Sequence, residues 1–342
     1  MNRILTGTLL GVWLGALSLP AALVWRPGEG WTDESGSSNI SASSSRDQLE
    51  LGKKLEDAQN YEDALKAYRG LVRKWPLSFS APEAQYKVGW CQEKKGDFWN
   101  AYKSYKVMVE KYPASTFFDK ALERLYSIGN LYLAGEPARL WKIPIGPSMD
   151  KTVEIYESII KAAPYGKFAP EAQFKIGLAR EKQKKFSDAV AAYNTLIDKY
   201  PGNDIVDDAQ YQIGHAWLKA SSEPEYDQSA AEKSIEAFQD FIVRYPNSEK
   251  IDQAKEYIAS LNGRQTAGSF NIAKFYESQR NLKAAYIYYN EVIRQNPDSS
   301  QAQIAKKKVQ ELRPLVEKEL NLPPLAANTA AAPAESPATT TQ

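Results

Sequence analysis

Few residues in this chain have the types and spacing that catalysis or metal binding requires. Its 342 residues include one histidine, His215, and one cysteine, Cys91, which excludes a multi-histidine metal site, a cysteine-pair redox centre and an intrachain disulfide. A Ser/His/Asp triad would depend on His215, which follows Gly214 within a helical pattern and not on a catalytic turn. Carboxylate pairs such as Asp207–Asp208 are typical of solvated helix surfaces. We therefore predict no catalytic residue, no metal site and no cofactor, and we expect that the chain is not an enzyme.

The elements that would position any functional residue are repeated along the chain. Residues 168–201, FAPEAQFKIGLAREKQKKFSDAVAAYNTLIDKYP, contain two apolar runs at helical spacing, joined by a short polar link and ended by Pro201. From Gly177, an alanine follows after 12 positions, a tyrosine after 16 and a proline after 24, and the same spacing begins at Gly52 and Gly89. The matching residues are Ala64, Ala101 and Ala189, then Tyr68, Tyr105 and Tyr193, then Pro76, Pro113 and Pro201.

Further copies extend this series, two with insertions and one with alanine in place of the glycine. Their matching residues are Gly129, Tyr156 and Pro164; Gly214, Phe238 and Pro246; and Ala273, Ala285, Tyr289 and Pro297. The pattern resembles the tetratricopeptide repeat, a helical pair in which small residues let two helices approach and a ring fills the gap one turn later. The resemblance predicts an all-α fold, a right-handed superhelical solenoid of about six tetratricopeptide-like helix pairs plus a C-terminal capping helix.

The composition divides the chain into five segments. Residues 1–25 contain Arg3 and then an apolar run, which indicates a signal peptide or an uncleaved membrane anchor, and both interpretations stay open. Residues 26–46 are Gly/Ser-rich and are predicted to form a flexible linker. Residues 47–297 hold the repeats, 298–321 the capping helix, and 322–342 an Ala/Pro/Thr-rich tail that is predicted to be disordered. We expect the repeats to be periplasmic, either associated with the outer membrane or tethered by the N-terminal segment.

Binding of other proteins remains as the predicted function. Lysine and arginine total 43 against 42 aspartates and glutamates, so net charge gives no attraction to nucleic acid. In a solenoid of this type the first helix of each pair lines the concave face, where aromatic residues can anchor an extended or C-terminal peptide. The alternative, that these rings pack between neighbouring repeats, stays open. The predicted concave residues are Tyr86, Trp90, Tyr126, Phe174, Tyr211 and His215.

An insertion in the third repeat offers a second candidate surface. Residues 135–147, GEPARLWKIPIGP, combine four large apolar side chains with three prolines. One interpretation is a loop folded back over a neighbouring helix, and the other is a loop that docks a partner, because apolar clusters on loops tend to be functional. The candidate docking residues are Leu140, Trp141, Ile143 and Ile145.

The last third of the chain resembles a more specific family. Residues 226–254, YDQSAAEKSIEAFQDFIVRYPNSEKIDQA, are similar to the BamD family of outer-membrane assembly lipoproteins, in which an aspartate, an Ala-Phe…Phe helix, Tyr-Pro-Asn-Ser and an acidic-Ala step follow an insertion. Residues 272–297, IAKFYESQRNLKAAYIYYNEVIRQNP, resemble that family's next repeat. The resemblance implies a periplasmic scaffold that helps to insert β-barrel proteins into the outer membrane. It implies two kinds of partner, an outer-membrane barrel assembly protein and unfolded outer-membrane clients.

The chain also departs from that family. The family matures through a lipid-bearing cysteine after its signal, whereas the one cysteine here is Cys91, so we expect an exported chain without a lipid. The family has five repeats, and six are predicted here. Two alternatives therefore remain: a soluble cell-envelope coordinator of the Tol-associated repeat type, or a general periplasmic adaptor. The Tol-associated type carries a coiled coil before its repeats, and the Gly/Ser-rich residues 28–46 contain no heptads.

Overall fold

The computed structural model describes residues 23–26, 30–33, 40–135, 137–140, 143–222, 229–318 and 320. These residues form 13 helices and two short hairpins. The helices are α1 Ser45–Asp57, α2 Tyr61–Lys74, α3 Ala81–Lys94, α4 Phe98–Lys111, α5 Phe118–Ala134, α6 Met149–Ala162, α7 Ala169–Lys182, α8 Phe186–Lys199, α9 Val206–Ala220, α10 Ser229–Arg244, α11 Ile251–Ser278, α12 Leu282–Gln295 and α13 Ser300–Val316. The strands are β1 Leu23–Arg26, β2 Gly30–Asp33, β3 Pro137–Leu140 and β4 Ile143–Pro147.

The repeated glycine marks the point where the two helices of a pair come closest. An ideal Cβ built on Gly177 would lie 2.3 Å from Cε1 of Tyr193, and one on Gly52 would lie 2.4 Å from Cε1 of Tyr68. Gly214 stands in the same relation to Phe238, at 2.6 Å. Real Cβ atoms do not approach a ring so closely, so these positions exclude a side chain. The predicted all-α fold of tetratricopeptide-like pairs is confirmed.

The other small residue of the pattern completes the same interface. Ala64, Ala101 and Ala189 have no exposed surface. A buried glutamine four positions before the glycine adds a polar tie, because its side-chain amide donates to a backbone carbonyl of the second helix. These bonds run from Gln48 to Ala67 at 3.1 Å, from Gln85 to Ser104 at 2.8 Å and from Gln173 to Ala192 at 2.9 Å.

The turn inside the uninterrupted pairs has one recurring conformation. Two positions after the end of the first helix, the chain has a residue at positive φ, which is Gln59, Gly96, Lys184 or Arg280. In the fourth pair the N–H of Lys185 donates to the carbonyl of Arg180, and the N–H of Lys184 donates to that of Glu181. This is the paired bonding of a Schellman motif, which satisfies carbonyls at a helix end. The tight turn places the second helix antiparallel to the first.

The described helices fall into two compact units that divide between Ile128 and Gly129. In the first unit α1 to α4 pack in chain order, and in the second α6 to α13 do so. Helix α11 is continuous over 28 residues. Its first half packs on α10 through Ala254, and its second half packs on α12 through Ala273. The capping helix α13 covers α12 with Ala302, Ala305, Leu312 and Val316.

Two predicted irregular segments contain β-hairpins. The insertion after α5, predicted as a loop with docking residues Leu140, Trp141, Ile143 and Ile145, forms antiparallel strands in which Leu140 pairs with Ile143. Trp141 lies outside the described residues. Three prolines in this segment argue against a central strand, but both strands of an isolated hairpin are edges, where proline is tolerated. Strands β1 and β2 likewise pair over the end of the predicted export segment and part of the predicted linker.

Candidate functional site

Two of the predicted concave residues, Tyr86 and Trp90, are half-buried on α3 in the first unit. The centre of the Tyr86 ring lies 5.5 Å from that of Tyr105 and 5.3 Å from that of Phe117. The Trp90 ring meets the ring of Tyr61 edge-on at 5.6 Å. Each ring therefore packs against a neighbouring helix on one side and keeps part of its surface in solvent.

The remaining predicted rings differ in exposure. Tyr126 on α5 and Phe174 on α7 are half-buried, and the Phe174 ring lies 5.4 Å from that of Tyr193. Tyr211 on α9 is only 6% exposed, and its hydroxyl donates to Oε1 of Gln253 at 2.6 Å. Tyr211 therefore fits the alternative that the sequence left open, in which the ring packs between neighbouring repeats. The predicted concave residues thus include both buried packing rings and partly exposed rings.

Burial shifts the pKa of both His215 and Cys91. His215 stacks on Tyr211 at 6.2 Å, and burial followed by the positive charge of Lys219 lowers its pKa, so the ring is neutral at neutral pH. Burial raises the pKa of the Cys91 thiol to about 12. Among the residues that the structure describes, no group of three or more His, Cys, Asp or Glu could hold a metal ion. The same residues include no helix that is both long and apolar enough to cross a membrane.

A glutamate four positions after the repeat's small residue links a helix pair to a later helix. Glu181 is the clearest case: its side chain is 4% exposed, it accepts a hydrogen bond from the Tyr193 hydroxyl at 2.6 Å, and it accepts another from Nζ of Lys219 at 2.8 Å. Tyr193 belongs to the same pair and Lys219 to the next one. The equivalent partners are Tyr68 and Lys87 for Glu56, Arg124 for Glu93, and Tyr289 and Lys308 for Glu277.

The third pair lacks this carboxylate. Leu133 occupies the position, and Oδ1 of Asn130 accepts the hydrogen bonds from the Tyr156 hydroxyl and from Nζ of Lys175, both at 2.8 Å. The fifth pair also has a leucine here, Leu218, but its second helix presents a phenylalanine with no hydroxyl to satisfy. The third pair therefore keeps the tyrosine and the lysine of the arrangement while a neutral amide replaces the anion.

Two adjoining clefts lie on this side of the second unit, and we call them together the lysine groove. One encloses about 490 Å³ beside α5, α7 and α9, and the other encloses about 550 Å³ beside α7, α9 and α11. They share Glu181, Lys182 and Lys219. Their other lining residues include the apolar side chains of Leu133, Ala134, Leu178, Phe186 and Leu218, and the charged side chains of Lys175, Lys184 and Arg264.

The groove is strongly cationic. Among its described lining residues, five are lysine or arginine, and Glu181 is the one carboxylate. Burial lowers the pKa of Lys175, and the carboxylate of Glu171 opposes this shift. This surface was not predicted from the sequence, although Leu133 stands where four other repeats have a glutamate. An open, apolar floor with a positive rim suits an extended chain segment that carries negative charge.

Comparisons with known proteins agree with the family resemblance. Residues 147–321 match the family YfiO, described as outer membrane lipoprotein, and residues 49–116 match the tetratricopeptide repeat. The chain is similar to the outer membrane protein assembly factor BamD of Caulobacter vibrioides, with 22% identity over 151 residues, which is 44% of this chain and 50% of the relative. It is also similar to BamD of Rickettsia prowazekii, with 24% identity over 143 residues, which is 42% of this chain and 57% of the relative. The chain thus spans about half the length of the curated relatives it matches.

Among solved structures, a thermophilic tetratricopeptide-repeat protein of Thermus thermophilus superposes on 64% of this chain and 98% of its own, at 14% identity and a TM-score of 0.30. The family match over residues 147–321 covers just over half of the sequence and includes α6 to α13. It therefore contains three of the helices that line the lysine groove, α7, α9 and α11. The chain belongs to the YfiO family of outer membrane lipoproteins.

Proposed function

We propose that this chain is a non-catalytic periplasmic scaffold in the assembly and insertion of outer-membrane β-barrel proteins. Its partners are an outer-membrane barrel assembly protein and unfolded outer-membrane clients. One observation carries the proposal: three of the helices that line the lysine groove, α7, α9 and α11, lie in the segment that matches the outer membrane lipoprotein family. The similarity to BamD proteins, which are outer membrane protein assembly factors, supports the same role.

The form of the groove favours binding over chemistry. Its two clefts adjoin and open to solvent, so a segment of extended chain can lie across α7 and α9. Its lining offers ammonium groups and apolar walls, which provide affinity for a polypeptide. The partly exposed rings of Trp90 and Tyr126 in the first unit are further candidate anchors, since a few aromatic residues supply most of the energy at many interfaces.

Co-purification from detergent-solubilised envelopes tests the proposal. A tagged full-length chain should retain the outer-membrane barrel assembly protein, identified by mass spectrometry, and depletion of the chain should lower the level of folded barrel proteins in the outer membrane. The proposal fails if the barrel assembly protein is absent from the eluate and depletion leaves folded barrel proteins unchanged.

Two substitutions test the aromatic anchors. Trp90→Ala and Tyr126→Ala should each weaken partner capture, by about 2 kcal/mol if the ring is a central anchor. Melting curves of the same variants separate this from a packing role, because loss of a packing ring lowers the melting temperature and leaves capture by the folded protein intact. Lys199→Gln, at an exposed position of α8 outside the groove, serves as the control.

A further inference from the structure

The third helix pair has a leucine where four other pairs have a glutamate. Glu56, Glu93, Glu181 and Glu277 occupy one repeat position, and each lies against a basic side chain of a later helix. Leu133 occupies this position in the third pair, where Lys175 donates to Oδ1 of Asn130 and also interacts with the carboxylate of Glu171. The first cleft of the lysine groove lies at this point and is lined by Leu133 and Lys175.

We propose that this cleft binds the carboxylate of an aspartate or glutamate side chain in an extended segment of a partner protein. The partner's carboxylate takes the place of the glutamate that the third pair lacks. The inference rests on the proposed function, because it gives the chemistry of the segment that the groove binds.

Charge complementarity carries the first step of the argument. Lys175, Lys182 and Lys219 line the cleft against one carboxylate, that of Glu181. Glu181 is already engaged by Tyr193 and Lys219. The carboxylate of Glu171 also acts on Lys175. One further carboxylate beside the three lysines would therefore balance the charge of these groups.

The lysines also have hydrogen-bonding capacity for a ligand. An ammonium group carries three N–H donors. Nζ of Lys182 donates to the backbone carbonyl of Leu133 at 2.7 Å, and Nζ of Lys219 donates to Glu181 at 2.8 Å. Each bond uses one donor, and both side chains are exposed on the groove side. Burial lowers the pKa of Lys175, and an incoming anion would reverse that shift.

The second cleft indicates that the ligand is an extended and acidic segment and not a single small acid. It continues from the first cleft through the shared lysines and adds Lys184 and Arg264, together with the apolar walls of Phe186 and Leu218. A chain with apolar residues between two acidic ones matches both features, since its carboxylates meet the two groups of cations and its apolar side chains meet the walls.

Fluorescence anisotropy with a designed probe tests the inference on the full chain. The probe is a fluorescein-labelled peptide, Leu-Glu-Leu-Ser-Glu-Leu, with a C-terminal amide, and its control has glutamine in place of both glutamates. We expect the glutamate peptide to bind about tenfold more tightly than the glutamine peptide, because charge-assisted hydrogen bonds are roughly twice as strong as neutral ones. Binding should weaken as salt is raised. A third peptide, with glutamine side chains and a free C-terminal carboxylate, tests whether the carboxylate of a chain end binds in place of a side-chain carboxylate.

Three variants assign the binding to the cleft. Leu133→Glu supplies the missing carboxylate from the chain itself, so it should abolish binding of the glutamate peptide while the protein stays folded. Lys182→Gln should weaken binding about tenfold. Lys199→Gln removes an equal charge from an exposed site outside the groove and should leave binding unchanged.

Equal binding of the glutamate and glutamine peptides, or full binding by folded Leu133→Glu, would overturn the inference. If neither amidated peptide binds and only the free chain end does, the side-chain carboxylate assignment is also overturned. The proposed function fails separately, through loss of the barrel assembly protein from the co-purification. A chain that retains that protein and ignores acidic peptides would keep the proposed function and lose this inference.

Discussion

Replacement of a repeat glycine by alanine should destabilise the protein, although alanine is the better helix former. At Gly177 an added Cβ would meet Cε1, Cζ and Cδ1 of Tyr193 at 2.3, 2.6 and 2.8 Å. The Tyr193 ring has no exposed surface, and its hydroxyl is held by Glu181 at 2.6 Å, so the ring cannot swing away. The helices must separate instead.

The two opposing contributions can be compared. Overpacking of a tight interior costs up to about 3 kcal/mol, whereas alanine gains about 1 kcal/mol over glycine inside a helix, so Gly177→Ala should lower the free energy of unfolding by about 2 kcal/mol. Gly263 in α11 provides a matched control, because an added Cβ there has no atom within 4 Å. Gly263→Ala should therefore raise the free energy of unfolding by up to about 1 kcal/mol.

Urea unfolding followed by far-ultraviolet circular dichroism measures both changes. A double-mutant cycle assigns the cause: in a Tyr193→Leu background, which lacks the ring, Gly177→Ala should lose most of its penalty. The reasoning is refuted if Gly177→Ala shifts the unfolding midpoint upward as Gly263→Ala does, or if the penalty is the same with and without the ring.

Three more results are expected. Ala101→Leu should lower the free energy of unfolding by roughly 1–3 kcal/mol, because Ala101 has no exposed surface; an unchanged urea midpoint would contradict its place in the helix interface. Cys91, whose pKa burial raises to about 12, should resist thiol reagents in the folded protein at pH 9 and react on unfolding; rapid labelling of the folded protein would refute this. A hydrogen bond from Lys308, followed by one from Tyr289, lowers the pKa of Glu277 below 4.5. The resulting stabilisation is present above pH 4.5 and is lost as pH falls through the folded pKa, so Glu277→Gln should flatten the acid side of the plot of unfolding free energy against pH. An unchanged plot would contradict this prediction.

The features predicted correctly from the sequence are those fixed by the contact of two adjacent helices. Glycine, alanine and a ring recur at set intervals because a close helix crossing leaves room for nothing larger opposite the ring. The spacing of these residues along the chain therefore predicts how the two helices pack. The sixth pair shows the tolerance of the rule, since Ala273 replaces the glycine and is still fully buried.

The features that were missed depend on contacts between residues far apart in the chain. Glu181 and Glu277 resemble solvated helix residues in the sequence, but they contact lysines that lie 38 and 31 positions later in the chain. Tyr211 was predicted to line a groove, but its partner Gln253 lies 42 positions away on α11. Periodicity within one repeat contains no information about such partners.

The third helix pair shows how a repeat protein can exchange one contact of its repeat without losing its fold. In a linear array each helix pair is stabilised by its own interface and by those with its neighbours, so a change at one pair stays local. At the third pair Asn130 takes over the hydrogen bonds of Tyr156 and Lys175, and the helices stay joined without the carboxylate. The negative charge is the part that Asn130 cannot replace. The proposed acidic segment would supply that charge, so a single exchange within one repeat would give the array its specificity.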